Sequence, residues 1–267
     1  MMGRLTNKVA IITGGASGMG REMVDLFTKE GAQVIAADIN EKAVAVVNEL
    51  DNVHGTVLDV SSDESWKKMT DEVIAKFGKI DILVNNAGIS TEKGINDTTL
   101  ADWQLMLSIN GFGPFLGMKH VVPHMAKEGK GAVVNISSFT AQIGMGLNSY
   151  SASKGAVRAI SKAAATQYGR MGVRVNAVFP GIIETPMTQK LEESKELVNQ
   201  MIKATPLQRL GQPADIANAV LYLCRSRGFQ LVFGIYDFWL FHWCVNVTHF
   251  NLHKFLYWNQ KIPFLDL

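Results

Sequence analysis

Val9-Ala10-Ile11-Ile12-Thr13-Gly14-Gly15-Ala16-Ser17-Gly18-Met19-Gly20 is the stretch on which the fold turns. Its opening is apolar without alternation, which suits a strand covered on both faces, as in a parallel sheet. A glycine-rich turn follows, and from Arg21 to Glu30 the residues read as an amphipathic helix. Strand, glycine turn and helix are what the pyrophosphate of a dinucleotide requires. Glycine lets the backbone turn sharply and approach the phosphates, and a helix N-terminus offers unpaired N–H groups to the anion. Gly14, Gly18, Met19 and Gly20 would form this cradle, and Ser17 could add a hydroxyl donor. The spacing is G-xxx-G-x-G rather than G-x-G-x-x-G, and a tight turn alone could ask for glycine on steric grounds.

Working outward, the next strand-like run is Gln33–Asp38. A carboxylate at its end can accept hydrogen bonds from both hydroxyls of an adenosine ribose, and it would repel a 2′-phosphate. Nothing basic stands at Ser17 or Ile39, so Asp38 selects NAD over NADP. The alternative is that Asp38 caps a helix beginning near Asn40. Further strands are expected at Val53–Leu58, Asp81–Asn85, Gly131–Ser137 and Val173–Phe179. Between the third and fourth, Trp66, Met69, Val73, Ile74 and Phe77 recur at helical spacing, predicting a helix over Glu64–Phe77 with Ser62 or Asp63 as cap. This alternation predicts an α/β, doubly wound parallel sheet with helices on both faces.

Composition bounds the rest. The 267 residues carry 26 basic and 24 acidic side chains, so a net charge of +2 gives no reason to expect nucleic acid or an anionic membrane. Two cysteines, Cys224 and Cys244, cannot staple a chain of this size, which makes a cytoplasmic, reducing compartment the default. The first apolar run is too short for a signal-peptide core or a span. One boundary is visible. Residues 229–267 hold 12 of the 23 aromatics but only 4 of the 50 charged residues. Residues 1–226 therefore read as a dinucleotide-binding and catalytic unit, and 227–267 as an aromatic-rich tail. Its apolar stretch is shorter than the roughly 20 residues of a membrane helix, and its histidines lack a third ligand, so neither a span nor a metal site is expected.

A second chemical signal lies at Ser149-Tyr150-Ser151-Ala152-Ser153-Lys154. On a helix, Tyr150 and Lys154 share a face. A nearby cation favours a phenolate and lowers its pKa, which would make the pair an acid/base device. Ser137, ending the strand before this helix, can be brought beside the Tyr150 hydroxyl.

Taken together, TGGASGMG, NNAG at 85–88, Asn110, Ser137, YSASK at 150–154, Pro180-Gly181, Thr185 and RLGQPADIA at 209–217 resemble the short-chain dehydrogenase/reductase family over residues 5–224. The resemblance implies Tyr150 as catalytic acid/base and Lys154 as the residue that lowers its pKa and holds the nicotinamide ribose. It implies Ser137 as the group that orients the substrate oxygen, and Asn110 as the anchor of a water linking Lys154 to solvent. Asn86, Ala87 and Gly88 would line the cofactor's adenosine ribose and centre, and Asp59 and Val60 would meet the adenine. Ile183 and Thr185, following Pro180 and Gly181, would fix the nicotinamide carboxamide. A homo-oligomer, dimer or tetramer, is implied as well.

The region after Gly181 would cover a substrate pocket walled by Phe139, Ile143, Met145, Met187 and Leu191. These side chains are apolar, and Glu184 and Glu192, the nearest charges, cannot anchor an anion. An uncharged, apolar secondary alcohol or ketone is the expected substrate. The family's usual ending, a TG turn, a last strand and Asp-Gly-Gly, is missing after Cys224, although Leu231–Tyr236 could serve as a makeshift strand. This leaves a second reading, a catalytically idle scaffold that binds cofactor or partners.

Overall fold

The structure, a computed structural model, describes residues 3–91, 93–142, 148–189, 199, 202, 203, 205 and 207–225. Among them, β1 (Val9–Thr13), β2 (Gln33–Asp38), β3 (Val53–Val57), β4 (Ile82–Asn85), β5 (Gly131–Ile136) and β6 (Val173–Val178) form one sheet in the order β3-β2-β1-β4-β5-β6. Every pairing is parallel. The order reverses between β1 and β4, and in an open parallel sheet the crevice above that reversal, at the carboxyl ends of the strands, is where ligands bind. Four strands are one residue shorter than their patterns suggest. Leu58, Asp81 and Ser137 lie just past the strand ends yet still donate backbone hydrogen bonds to Asp38, Val9 and Val178.

The unbroken apolar runs have the cause inferred for them: β1 is buried throughout. Ala10, Ile12, Val34, Ala36, Val84 and Val134 face α1 (Gly18–Lys29) and α8 (Pro213–Cys224), whose Met23, Phe27, Ile216 and Val220 complete that half of the core. Val9, Ile11, Ile35, Leu83 and Val133 face the other way, onto Trp66, Met69 and Val73 of α3 (Asp63–Phe77), Val121 and Val122 of α5 (Gly113–Lys127), and Ala164 of α6 (Ser149–Tyr168). Fully burying one such side chain stabilises by about 1.5–3 kcal/mol. Two of the helices show local reasons for their limits. Ser62, of the two candidate caps, accepts from Ser65 N–H, and Gly78, with φ 74°, ends α3 in the left-handed region. Asn40 caps α2 (Glu41–Val47) itself, accepting from Ala43 N–H. Asp38 is therefore not that helix's cap.

Two irregularities position the site. The run after Thr99 is not one helix: α4 (Leu100–Leu107) passes through a π turn at Ser108–Phe112 before α5 begins. A short α7 (Pro186–Gln189) follows β6. No helix among the described residues is long and apolar enough to cross a membrane. Residues 227–267, including the expected strand Leu231–Tyr236, lie outside the described residues.

Candidate active site

The glycine turn is built as its residues require. Gly14 and Gly18 have φ of 63° and 53°, and a Cβ on Gly14 would lie 2.9 Å from Asn86 Nδ2. Gly20 does different work: its Cβ would lie 1.9 Å from the Gly14 carbonyl oxygen, so it lets α1 close on the turn and does not line the cleft. α1 begins without an acidic residue in its first turn, and Ser17, at its N-cap position, makes no side-chain cap bond. The positive end of the helix dipole is thus left uncompensated toward the cleft.

Thr13 ties this turn to β4: its hydroxyl accepts from the Asn86 and Ala87 N–H groups at 2.9 and 3.0 Å. Asn86 Nδ2 donates to the Thr13 carbonyl at 2.9 Å, whereas Asn86 Oδ1 is buried with no partner. Asp38 accepts from Ala16 N–H at 3.2 Å and Asn40 N–H at 3.1 Å, so the carboxylate is held at the rim by the two loops it joins. A cleft of ≈ 270 Å³ runs past Gly14, Ser17, Gly18, Met19, Asp38, Ile39, Asp59, Val60, Asn86, Ala87, Gly88 and Thr185. Val60 is set by Trp66, whose indole N–H donates to the Val60 carbonyl at 3.0 Å. A dinucleotide suits these residues: Gly14 and Gly18 bring no side chain against phosphate, and Asn86 Oδ1 is an acceptor in need of a donor such as a ribose hydroxyl.

A second cavity, ≈ 100 Å³, shares Met19, Asn86, Gly88, Thr185 and Met187 with the first and continues it. It is lined by Ser137, Ser138, Tyr150, Lys154, Pro180, Gly181, Ile183 and Thr188. Tyr150 and Lys154 lie in the first turns of α6, whose cap Asn148 accepts from Ser151 N–H at 3.1 Å. Lys154 is buried, and its ammonium donates to the Ile136 carbonyl at 2.9 Å and stands 5.8 Å from the Tyr150 ring centroid. Burial pulls the Lys154 pKa down to about 8.

Two expectations are corrected here. Ser137 does not sit on the phenol; its hydroxyl donates to the Lys154 carbonyl at 2.8 Å, and Ser138 makes the hydrogen bond to Tyr150. Adjacent residues leaving a strand point to opposite sides, so taking the serine that ends the strand pattern picks the wrong one of two neighbours. Nor is the Tyr150 pKa lowered in this arrangement. Burial pushes it up, and the Ser138 hydroxyl offsets that only in part.

Asn110 sits in the π turn, fully buried, with Oδ1 accepting from Ile89 N–H at 2.9 Å and Nδ2 donating to the Ile89 carbonyl at 2.9 Å and Ser153 Oγ at 3.1 Å. Its side chain therefore ties α6 to the loop carrying Gly88, where a Cβ would meet Asn110 Oδ1 at 3.0 Å and Lys154 Nζ at 3.3 Å. Its amide is committed to protein groups, which puts any solvent link outside the side chain.

The comparisons with known proteins agree with this architecture. The family model described as Enoyl-(Acyl carrier protein) reductase matches residues 14–234. The chain belongs to the short-chain dehydrogenase/reductase family. It is 40% identical to the cyclopentanol dehydrogenase of Comamonas testosteroni over 228 residues, 83% of this chain and 91% of that one. It is also 40% identical over 231 residues to the NADP-dependent (R)-specific alcohol dehydrogenase of Lentilactobacillus kefiri, covering 84% and 91%. The crystal structure of levodione reductase superimposes with a TM-score of 0.77 at 33% identity, over 82% of this chain and 91% of that chain. Family membership makes the chain an oxidoreductase of the dehydrogenase type that uses a nicotinamide cofactor.

Of the pocket walls expected for this family member, Met187 lines both cavities. Phe139, half-buried in the turn after β5, lines neither. Ile143, Met145 and Leu191, with Glu192, lie outside the described residues. Sequence reading missed Ser138, Leu58, Ile89, Ile109 and Thr188. The Ser137-Ser138 doublet was the available signal for the first; the others are apolar or loop residues with no local mark.

Proposed function

We propose that this chain uses NAD(H) to interconvert an uncharged, apolar secondary alcohol and its ketone. One observation carries the reading: the Ser138 hydroxyl, the Tyr150 phenol and the Lys154 ammonium meet at one end of a cleft whose other end holds the glycine turn and the Asp38 carboxylate. A bound nicotinamide dinucleotide supplies or accepts the hydride. The turn's N–H groups, the start of α1 and Ser17 would hold its pyrophosphate, and Asp38 and Asn86 its adenosine ribose. Asp59 and Val60 would flank the adenine, while Ile183 N–H and Thr185 would receive the carboxamide.

The protein's own residues then handle the proton. Tyr150, held protonated by burial, donates to the carbonyl oxygen in reduction and takes the proton back in oxidation. Ser138 holds that oxygen and, with Tyr150, polarises it. The Lys154 ammonium stabilises the phenolate left after transfer.

The relatives named for cyclopentanol and for alcohols support a C–OH/C=O couple and an alicyclic or aliphatic substrate. NAD rather than NADP rests on Asp38, with Ile39 beside it and no basic residue among the described residues that line the glycine-turn end of the cleft. The test is NADH formation from NAD with cyclopentanol and open-chain secondary alcohols. Turnover is expected; soluble protein that binds NAD but turns over none of them would favour the idle scaffold instead.

A further inference from the structure

Ile183 and Thr185 lie on a strap between β6 and α7, and the strap is paired on its outer side with Gly211. Glu184 N–H donates to the Gly211 carbonyl at 2.8 Å, and Gly211 N–H donates to the Ile182 carbonyl at 2.9 Å, a parallel bridge centred on Ile183 and Gly211. In such a bridge the central residue's own N–H and C=O point the opposite way. The Ile183 carbonyl is taken on that side by the Thr188 hydroxyl at 2.6 Å. Its N–H is left toward the second cavity, which Ile183 lines, with no partner among the described residues.

Gly211 also leaves room for the Ile183 side chain: a Cβ at 211 would lie 2.4 Å from Ile183 Cδ1. Ile183 is buried, so its side chain has nowhere to swing except along the cavity wall. Gln212, the next residue, donates from Nε2 to Glu184 at 2.7 Å, and at the start of α8 its backbone N–H donates at 2.8 Å to Asp215, which Arg209 also holds at 2.8 Å. α8 in turn packs on α1, the helix behind the glycine turn, through Ile216 and Val220 beside Met23 and Phe27.

We infer that Gly211 is a positioning residue for the cofactor's nicotinamide end: by pairing with the strap without a side chain, it keeps the Ile183 N–H aimed into the cavity and the Ile183 side chain out of it. The inference rests on the proposed cofactor reading.

The test measures binding of NADH and of ADP-ribose, which lacks the nicotinamide, to the full chain. Gly211→Ala should weaken NADH by about tenfold, the loss of one hydrogen bond, and leave ADP-ribose within about twofold. Placed in an Ile183→Val background, which removes Cδ1, Gly211→Ala should cost NADH less than about threefold. Gln212→Ala, which removes only the exposed tie to Glu184, should weaken NADH by about two- to threefold and ADP-ribose not at all. It decides the matter if Gly211→Ala does not fold. Equal weakening of both ligands, or of neither, overturns the inference. If the unaltered chain binds ADP-ribose but not NADH, or neither, it is the cofactor reading that fails.

Discussion

At the residue scale, the neighbouring serines at 137 and 138 have different partners and so different work. Ser138 bonds the phenol and Ser137 holds the α6 backbone at Lys154. Ser138→Ala and Tyr150→Phe should each lower kcat by about 10²–10⁴-fold with NADH binding preserved. Ser137→Ala should instead lower thermal stability, costing about 1 kcal/mol, and reduce kcat far less. Steady-state rates and NADH titration on the three variants check this. The pH dependence follows from Lys154. Its pKa of about 8 means the ammonium stabilising the phenolate is present below that pH and lost above it. Ketone reduction should therefore be flat below pH about 8 and decline above it, and Lys154→Gln should be slow throughout with that inflection gone. The sign for stability is opposite. A folded lysine that releases its proton earlier than the unfolded one makes the fold gain stability as pH rises from about 8 toward 10.5, where an ordinary lysine titrates.

At the element scale, strands and helices were legible because hydrophobic period and caps are local. β2 matches its expected limits residue for residue, and α3 differs only by starting at Asp63. The break at Ser108–Phe112 was not legible, since the weak helix formers Asn110 and Gly111 do not by themselves tell a π turn from an ordinary helix; the π turn is stabilised by what Asn110 meets at Ile89 and Ser153. The entry to β4 shows a buried charge used as a clamp. Asp81 receives Lys8 and Lys79, each at 3.0 Å, and Val9 N–H at 3.0 Å, joining the starts of β1 and β4. Burial pushes its pKa up, but these donors together hold it below the ordinary carboxylate range. A lowered folded pKa gives stability that is present above the unfolded value and lost as pH falls. Asp81→Asn should cost about 1–3 kcal/mol at pH about 7, with the deficit shrinking below pH about 4. Urea unfolding at several pH values reads this directly.

At the scale of the whole molecule, the cofactor cleft joins elements distant in sequence: β1 and α1 at one end, α6 and the strap after β6 at the other. A ligand that binds across them stabilises the folded state by mass action, about 2.7 kcal/mol at a hundredfold excess over Kd. NADH should accordingly raise Tm more than NADPH at equal concentration, and Asp38→Ala should narrow the difference. An equal or larger shift with NADPH would show that Asp38 does not select the cofactor. The amino-acid sequence alone determined the parallel sheet, the glycine turn, the carboxylate ending β2 and the tyrosine–lysine pair, because each depends on residues close together along the chain. Only the tertiary structure decided which serine meets the phenol, which way burial moves that phenol's pKa, and what holds Ile183. Those depend on the direction in which side chains leave β5, on how far α6 is buried, and on α8 returning to pair at Gly211, and no spacing in the sequence records them.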